Sequence, residues 1–367
     1  MKFFHLCQAL CTSMVAVLLM SNAYATPMAG QAGSLYLPEV DGNTVAVIDT
    51  ATATVTKRIP VGPIGAHPAV MAATLDGSKL YVDNFGALPA TVTVIDRKAD
   101  KVKTLIVASV PLGIFTSQDG SEIYLPEVNS TVEVISTATD KVVRTLHFFP
   151  EIPVASMSGP DGNLYVGFAS GLLGVYNPKT GAVIRPPIWS GGVATFWYTF
   201  SKDGTKLYTD TINTIGVIDV ASWKLVKTIN TSLDSNYYPT NPGAFTSTLS
   251  PDGSKLYVTL FGATANRVII LDTARDRVIG SIPTKGSVIG LTFSEDGSRG
   301  YISDSGVTTK PYVTPAGEVF LFLNLITLGI LGPGELIVFD PKTDNVLGTI
   351  PTLAGPGVSA WVPPLKP

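Results

Sequence analysis

The stretch SPDGSKLYVTLF (250–261), followed by VIILDT (268–273), decides the fold. Asp252-Gly253 lies just before a short aromatic and β-branched run centred on Tyr257. Asp-Gly between apolar runs is the strongest short hairpin signal, because both turn positions tolerate positive φ. The second run ends in Asp-Thr, which is turn chemistry again. The same phrase recurs along the chain. Asp76-Gly77, Asp119-Gly120, Asp161-Gly162, Asp203-Gly204 and Asp296-Gly297 are each followed, three or four residues after the Gly, by Tyr81, Tyr124, Tyr165, Tyr208 and Tyr301. Tyr36, in SLYLPE, is a further copy without its Asp-Gly. Successive tyrosines are 41 to 49 residues apart. The second run recurs as VAVIDT (45–50), VTVIDR (92–97), VEVIST (132–137), LGVYNP (173–178), IGVIDV (215–220) and LIVFDP (336–341).

Short β-branched and aromatic runs punctuated by turns, with no sustained amphipathic helix, make the chain all-β. A unit of about 44 residues holding four short strands is one blade of a propeller. Seven copies predict a seven-bladed β-propeller. The chain begins its first copy at the Tyr strand and ends on a lone strand-like segment, Val358-Ser359-Ala360-Trp361. That segment supplies the missing inner strand of the first blade and closes the ring, which leaves no open sheet edge.

Composition narrows the function. The chain has 367 residues, a net charge of −3 and only 14% charged residues, with no run of basic side chains. That excludes the concentrated positive charge a nucleic-acid partner requires. Lys2, an apolar stretch including residues 14–20, and Ala23-Tyr24-Ala25 form the pattern of a secretory signal peptide, 1–25. The expected mature chain, 26–367, is then one propeller domain that is secreted or periplasmic and has no transmembrane span. The two cysteines, Cys7 and Cys11, fall in that leader. The mature chain therefore has no disulfide, thiolate or Cys-ligated metal chemistry. It also has only His67 and His147, too few for a three-His metal site.

The phrases LYVDNF (80–85), KLYVTLF (255–261), SPDGSKLYVT (250–259) and VIDTATATVTKRIPVG (47–62) resemble the YVTN family of β-propeller repeats, over essentially all of residues 33–361. The Asn of that motif is clear at Asn84; the equivalent positions are Glu39, Glu127, Phe168, Thr211, Leu260 and Asp304. The resemblance implies the fold and a wide choice of roles: surface-layer and periplasmic proteins, binding propellers, and the wider group of lactonases and lyases, some of them calcium-dependent.

Residues just after the Tyr strands ring one face of such a propeller, opposite the Asp-Gly turns. Here they are Glu39, Asp83 with Asn84, Glu127, Asp210 and Asp304. Converging carboxylates would hold Ca²⁺ or another divalent cation, with Glu39, Asp83, Asn84, Glu127 and Asp304 as the ligand set. They would equally tune a general base among Glu39, Glu127, Asp210 and Asp304, with His67 in GAHPAV as proton shuttle. Their register is mixed, however. Asp83 and Asp210 come two residues after Tyr and the others three, and neighbouring strand positions point to opposite faces. The alternative is that they are turn acids at strand ends. The Asp-Gly acids and the strand-end acids such as Asp49 recur with the repeat and read as turn and cap residues.

Between Tyr301 and Leu336 lie 34 residues, against 10 between Tyr81 and Val92. The insertion, about 306–334, is apolar, with Phe320, Phe322 and Leu325 at its centre. It folds as a lid over the channel mouth, as a docking surface, or as a lengthened hairpin. Trp189, Phe196, Trp197 and Tyr198 form an aromatic cluster entering the fifth blade; they line a pocket for an apolar ligand or pack between blades. Three functions follow: an exported propeller binding a small apolar ligand or a protein partner on its mouth face; a lactonase-like hydrolase or lyase using the carboxylate ring; or an accessory subunit of a periplasmic redox enzyme, without a Cys-x-x-Cys-His haem site of its own.

Overall fold

The computed structural model describes residues 33–86, 89–212, 214–231, 243–262, 266–307, 326–352 and 355–365. Twenty-eight strands form seven four-stranded antiparallel sheets, the blades of one propeller. The second blade shows the plan: β4 (Pro68–Ala73) innermost, then β5 (Lys79–Asn84), β6 (Thr91–Asp96) and β7 (Lys101–Ile106) at the rim. Four more blades repeat it as β8–β11, β12–β15, β16–β19 and β20–β23, starting at Phe115, Pro153, Val193 and Gly243. The seventh is β24 (Val288–Phe293), β25 (Gly300–Asp304), β26 (Gly334–Asp340) and β27 (Asn345–Thr352).

The first blade closes the ring. Its order is β28-β1-β2-β3, so the last strand, β28 (Ala360–Val362), lies inside β1 (Ser34–Glu39). Leu35 pairs with Trp361 and Tyr36 with Ala360. The closing strand thus begins at Ala360, two residues into the expected segment, while Gly357 and Val358 donate to the Pro38 and Ala69 carbonyls.

The recurring tyrosines have two tasks. Tyr81, Tyr165, Tyr208, Tyr257 and Tyr301 are among the largest fully buried side chains. Three also reach an Asp of the next blade. Tyr208 donates to Asp276 at 2.6 Å while Lys206 meets the same carboxylate at 2.8 Å. Tyr81 with Lys79 grips Asp140, and Tyr257 with Lys255 grips Asp344. Each receiving Asp sits at φ between 50° and 60°, on the tight turn before the rim strand. The latch therefore joins the second strand of one blade to the outer turn of the next.

The Asp-Gly acids act as expected of turn residues. Asp119 accepts from the Ser121 amide and hydroxyl and from the Ser117 hydroxyl, and these bonds hold its carboxyl down at about 2. Asp203 and Asp252 repeat the pattern. Asp49 caps its own turn through the Ala51 amide at 2.8 Å.

Candidate functional site

The inner strands carry the site. Five of them contain a register shift against their neighbour, at Pro68/Met71, Pro153/Ala155, Val193/Trp197, Ala244/Ser247 and Val288/Gly290. Such a bulge inserts backbone and re-aims side chains. Here the bulges turn apolar side chains toward the axis. Val70, Phe115, Val154, Trp197, Phe245 and Ile289 line a cavity of about 50 Å³ at the centre of the ring. Phe196, Phe245 and Phe261 form a mutual triangle beside it, with ring centroids 5.6 to 5.7 Å apart. Trp197 packs against Phe115 with ring centroids 5.1 Å apart and the planes tilted by 58°.

The cavity is capped by the C-terminal end of the insertion. Residues 326–328 are helical and place Ile326 in the cavity wall, and Ile326 and Leu331 are both buried in the central apolar cluster. The Leu331 and Gly332 amides donate to the Asp41 carboxylate, fastening this segment to the first blade. Gly329 takes φ 61°, and a Cβ there would meet the His67 ring at 2.1 Å. Glycine is thus required on two counts, conformation and contact. Phe320, Phe322 and Leu325 lie outside the described residues.

The acids expected to share one site each have their own surroundings. Glu39 is buried and held by Arg58, Nε at 2.8 Å and Nη2 at 3.1 Å, and by Thr44 at 2.7 Å. Glu127 accepts from the Ser109 amide at 3.0 Å and from Thr131 at 2.7 Å. Burial pushes its carboxyl up to about 7, and the charge of Glu133 adds to the rise. Asp304 accepts from the Lys285, Gly286 and Gly306 amides, while burial raises its pKa. Asn84 donates to Thr91 and Thr93. These residues sit three after Tyr. Glu127 and Asp304 use that position to hold the loop entering their own blade.

The position two after Tyr faces the inner-strand bulge instead. Asp83 accepts from the Val70 amide at 2.6 Å, and Thr259 holds the equivalent Thr246 amide at 3.0 Å. Asp210 occupies the same position opposite Trp197, fully buried. Neither of its oxygens has a close hydrogen-bond partner. Burial pushes both carboxyls up to about 7, against the amides of Val70 and Ala69 for Asp83 and against the nearby Ser247 hydroxyl for Asp210. Ser247 is itself engaged with Thr199 at 2.9 Å. Among the described residues, no three His, Cys, Asp or Glu side chains lie together in a way that could hold a metal ion.

His67 sits at φ 50°, its Nδ1 3.2 Å from the Val40 carbonyl and its amide on Asn43. It supports the capping segment and meets none of the expected acids in these hydrogen bonds. His147 is exposed at the end of β11 (Lys141–His147). Trp189 ends the rim strand β15 (Val183–Trp189) and is half exposed, away from Trp197 in the cavity wall. Glu133 was not among the expected site residues. It occupies the strand position filled by Ala46, Thr93, Gly174 and Gly216 in other blades, and that break in the repeat is the signal for it.

No family model matches the chain, and no curated protein matches it. Solved structures do. A protein from Lactobacillus plantarum superposes with TM-score 0.68 at 16% identity, over 91% of this chain and all of that one. A functionally unknown protein from Desulfotomaculum acetoxidans gives TM-score 0.64 at 16% identity, covering 90% and 99%. Kuenenia stuttgartiensis hydrazine synthase gives TM-score 0.55 at 18% identity, covering 78% and 96%. These likenesses establish the fold.

Proposed function

We infer that the chain is an exported binding propeller of the YVTN-repeat kind, whose channel mouth takes a small apolar ligand under the end of the seventh-blade insertion. The observation that carries this reading is the cavity wall: aromatic and aliphatic side chains from six inner strands, with Thr246 supplying a hydroxyl already engaged with Thr259. Such a wall selects by shape and apolar contact. Its size sets a limit. About 50 Å³ is a third of the roughly 150 Å³ that accommodates benzene. A ligand of several heavy atoms therefore enters by displacing Ile326, which makes the 326–331 segment the lid.

Replacing Ile326 with Ala tests this. Titration with indole, followed by NMR of the methyl groups of Val70 and Ile289, is expected to give saturable binding at least tenfold tighter in Ile326→Ala than in the parent. Equal affinities, or shifts confined to surface methyls, contradict it. The carboxylate-ring hydrolase draws no support from the geometry of Glu39, Glu127 and Asp304, which are each engaged separately. A redox-accessory role rests on likeness of fold alone.

A further inference from the structure

The latch between blades is a carboxylate grip, and its parts can be followed around the ring. A lysine two residues before the Tyr and the Tyr hydroxyl hold an Asp of the next blade. The same lysine meets the backbone carbonyl three residues before that Asp. Lys79 bonds the Thr137 carbonyl and Asp140, Lys206 the Thr273 carbonyl and Asp276, and Lys255 the Pro341 carbonyl and Asp344, all between 2.7 and 3.1 Å. The three Asp side chains stay 17 to 25% exposed, so the grip is open to water. Other seams exchange the parts. Arg97 of the second blade reaches back to the Tyr36 hydroxyl. Glu122 takes the lysine's place in the third blade and pairs with Arg144. Trp223 takes the Asp's place in the fifth blade and packs edge-on against Tyr165.

The seam between the seventh and first blades keeps the cation and the phenol, as Arg299 and Tyr301, and changes the acid. The receiving turn of the first blade carries Thr50 and, three residues on, Ala53. Ala53 has φ 54°, inside the range of the three gripped Asp residues, and packs on the same apolar cluster as Tyr301. Burial pushes the Tyr301 phenol up to about 12, against the Thr50 hydroxyl and the Arg299 charge, which both lower it. Arg299 donates to the Ser298 carbonyl, its Nε is buried without a hydrogen-bond partner, and it meets no carboxylate among the described residues. Asp296, three residues away, accepts from Ser294 and Ser298 on its own turn. A buried donor on a cation is costly to leave unmatched, and a carboxylate is its strongest match.

We propose that Arg299, Tyr301 and the Ala53 turn form a binding site for a small monocarboxylate, formate or acetate. Formate beside the Ala53 methyl reproduces the Asp carboxyl group of the other latches. Ala53 and Arg299 are both partly exposed, so the anion enters from water. Bound there, it ties the seventh blade to the first as Asp276 ties the sixth to the fifth. The site shares no residue with the cavity wall and stands without the cavity reading.

The test titrates formate into the exported, processed chain, its N-terminus verified by mass spectrometry, with chloride holding the ionic strength constant. NMR follows the Arg299 Nε–H and the residue-53 amide. The parent is expected to show a saturable shift of both. Binding is expected to be at least tenfold weaker in Ala53→Asp, whose own carboxylate fills the grip, and in Arg299→Gln, read at the amide. Without formate, Ala53→Asp is expected to unfold at a higher temperature than the parent, and to lose that gain when combined with Arg299→Gln. If Arg299→Gln fails to fold by circular dichroism, Tyr301→Phe replaces it. The proposal is overturned if the parent shows no saturable shift, if Ala53→Asp binds formate like the parent or is no more stable, or if sulfate at equal ionic strength gives the same saturable shift.

Discussion

Replacing Asp210 with Asn removes one ionisable group and preserves the shape of the blade interface. In the folded chain the buried carboxyl titrates at about 7, whereas an unfolded Asp titrates near 4. Between those values the unfolded state has lost the proton and the folded state keeps it. The unfolded state binds fewer protons, so stability falls as pH rises through the window and levels off above the folded value. Three decades correspond to roughly 4 kcal/mol. The Asn variant lacks this dependence. Urea unfolding of both proteins at pH 4, 5.5, 7 and 8 measures it, with unchanged m-values confirming the same surface exposed. The stability of Asp210→Asn relative to the parent is expected to rise by about 4 kcal/mol from pH 4 to pH 8. Asp83 and Glu127 act alike in both proteins and cancel from the difference. A pH-independent difference, or one that moves the other way, would refute the reasoning.

Two further outcomes follow from the ring itself. Tyr208→Phe is expected to cost about 1.5–3 kcal/mol, the worth of a hydrogen bond to a charged group, and much less in an Asp276→Asn background; additive costs in the double-mutant cycle would break the latch. Removing residues 358–367 takes away the innermost strand of the first blade, so thermal unfolding is expected to fall by many degrees with association through the freed edge of β1; an unchanged midpoint would show that closure contributes little.

The fold was legible because six blades repeat the same Asp-Gly turn and all seven the same Tyr at nearly constant spacing. The second task of that Tyr was not, since its partner Asp lies a whole blade away and the periodicity marks both residues only as turn and core. Closure was legible from two half-units at opposite ends of the chain. The cavity was legible only in part. Trp197 was singled out as an aromatic, but Val70, Val154 and Ile289 lie on inner strands whose bulges interrupt the two-residue alternation, so no pattern assigns them a face. The acids illustrate register directly. Asp83 and Asp210 point toward the bulged strands while Glu127 and Asp304 point to incoming loops, as a one-residue offset along a strand requires. Their raised pKa values come from burial, which the sequence position of a strand-end acid does not disclose.

Diffraction from crystals pressurised with xenon tests the central claim most directly. Xenon reports dry apolar space large enough to admit it. The account predicts one strong site among Val70, Phe115, Trp197, Phe245, Ile289 and Ile326, growing in occupancy in Ile326→Ala. Xenon absent from the channel mouth in both proteins, or ordered water filling that space, would contradict it.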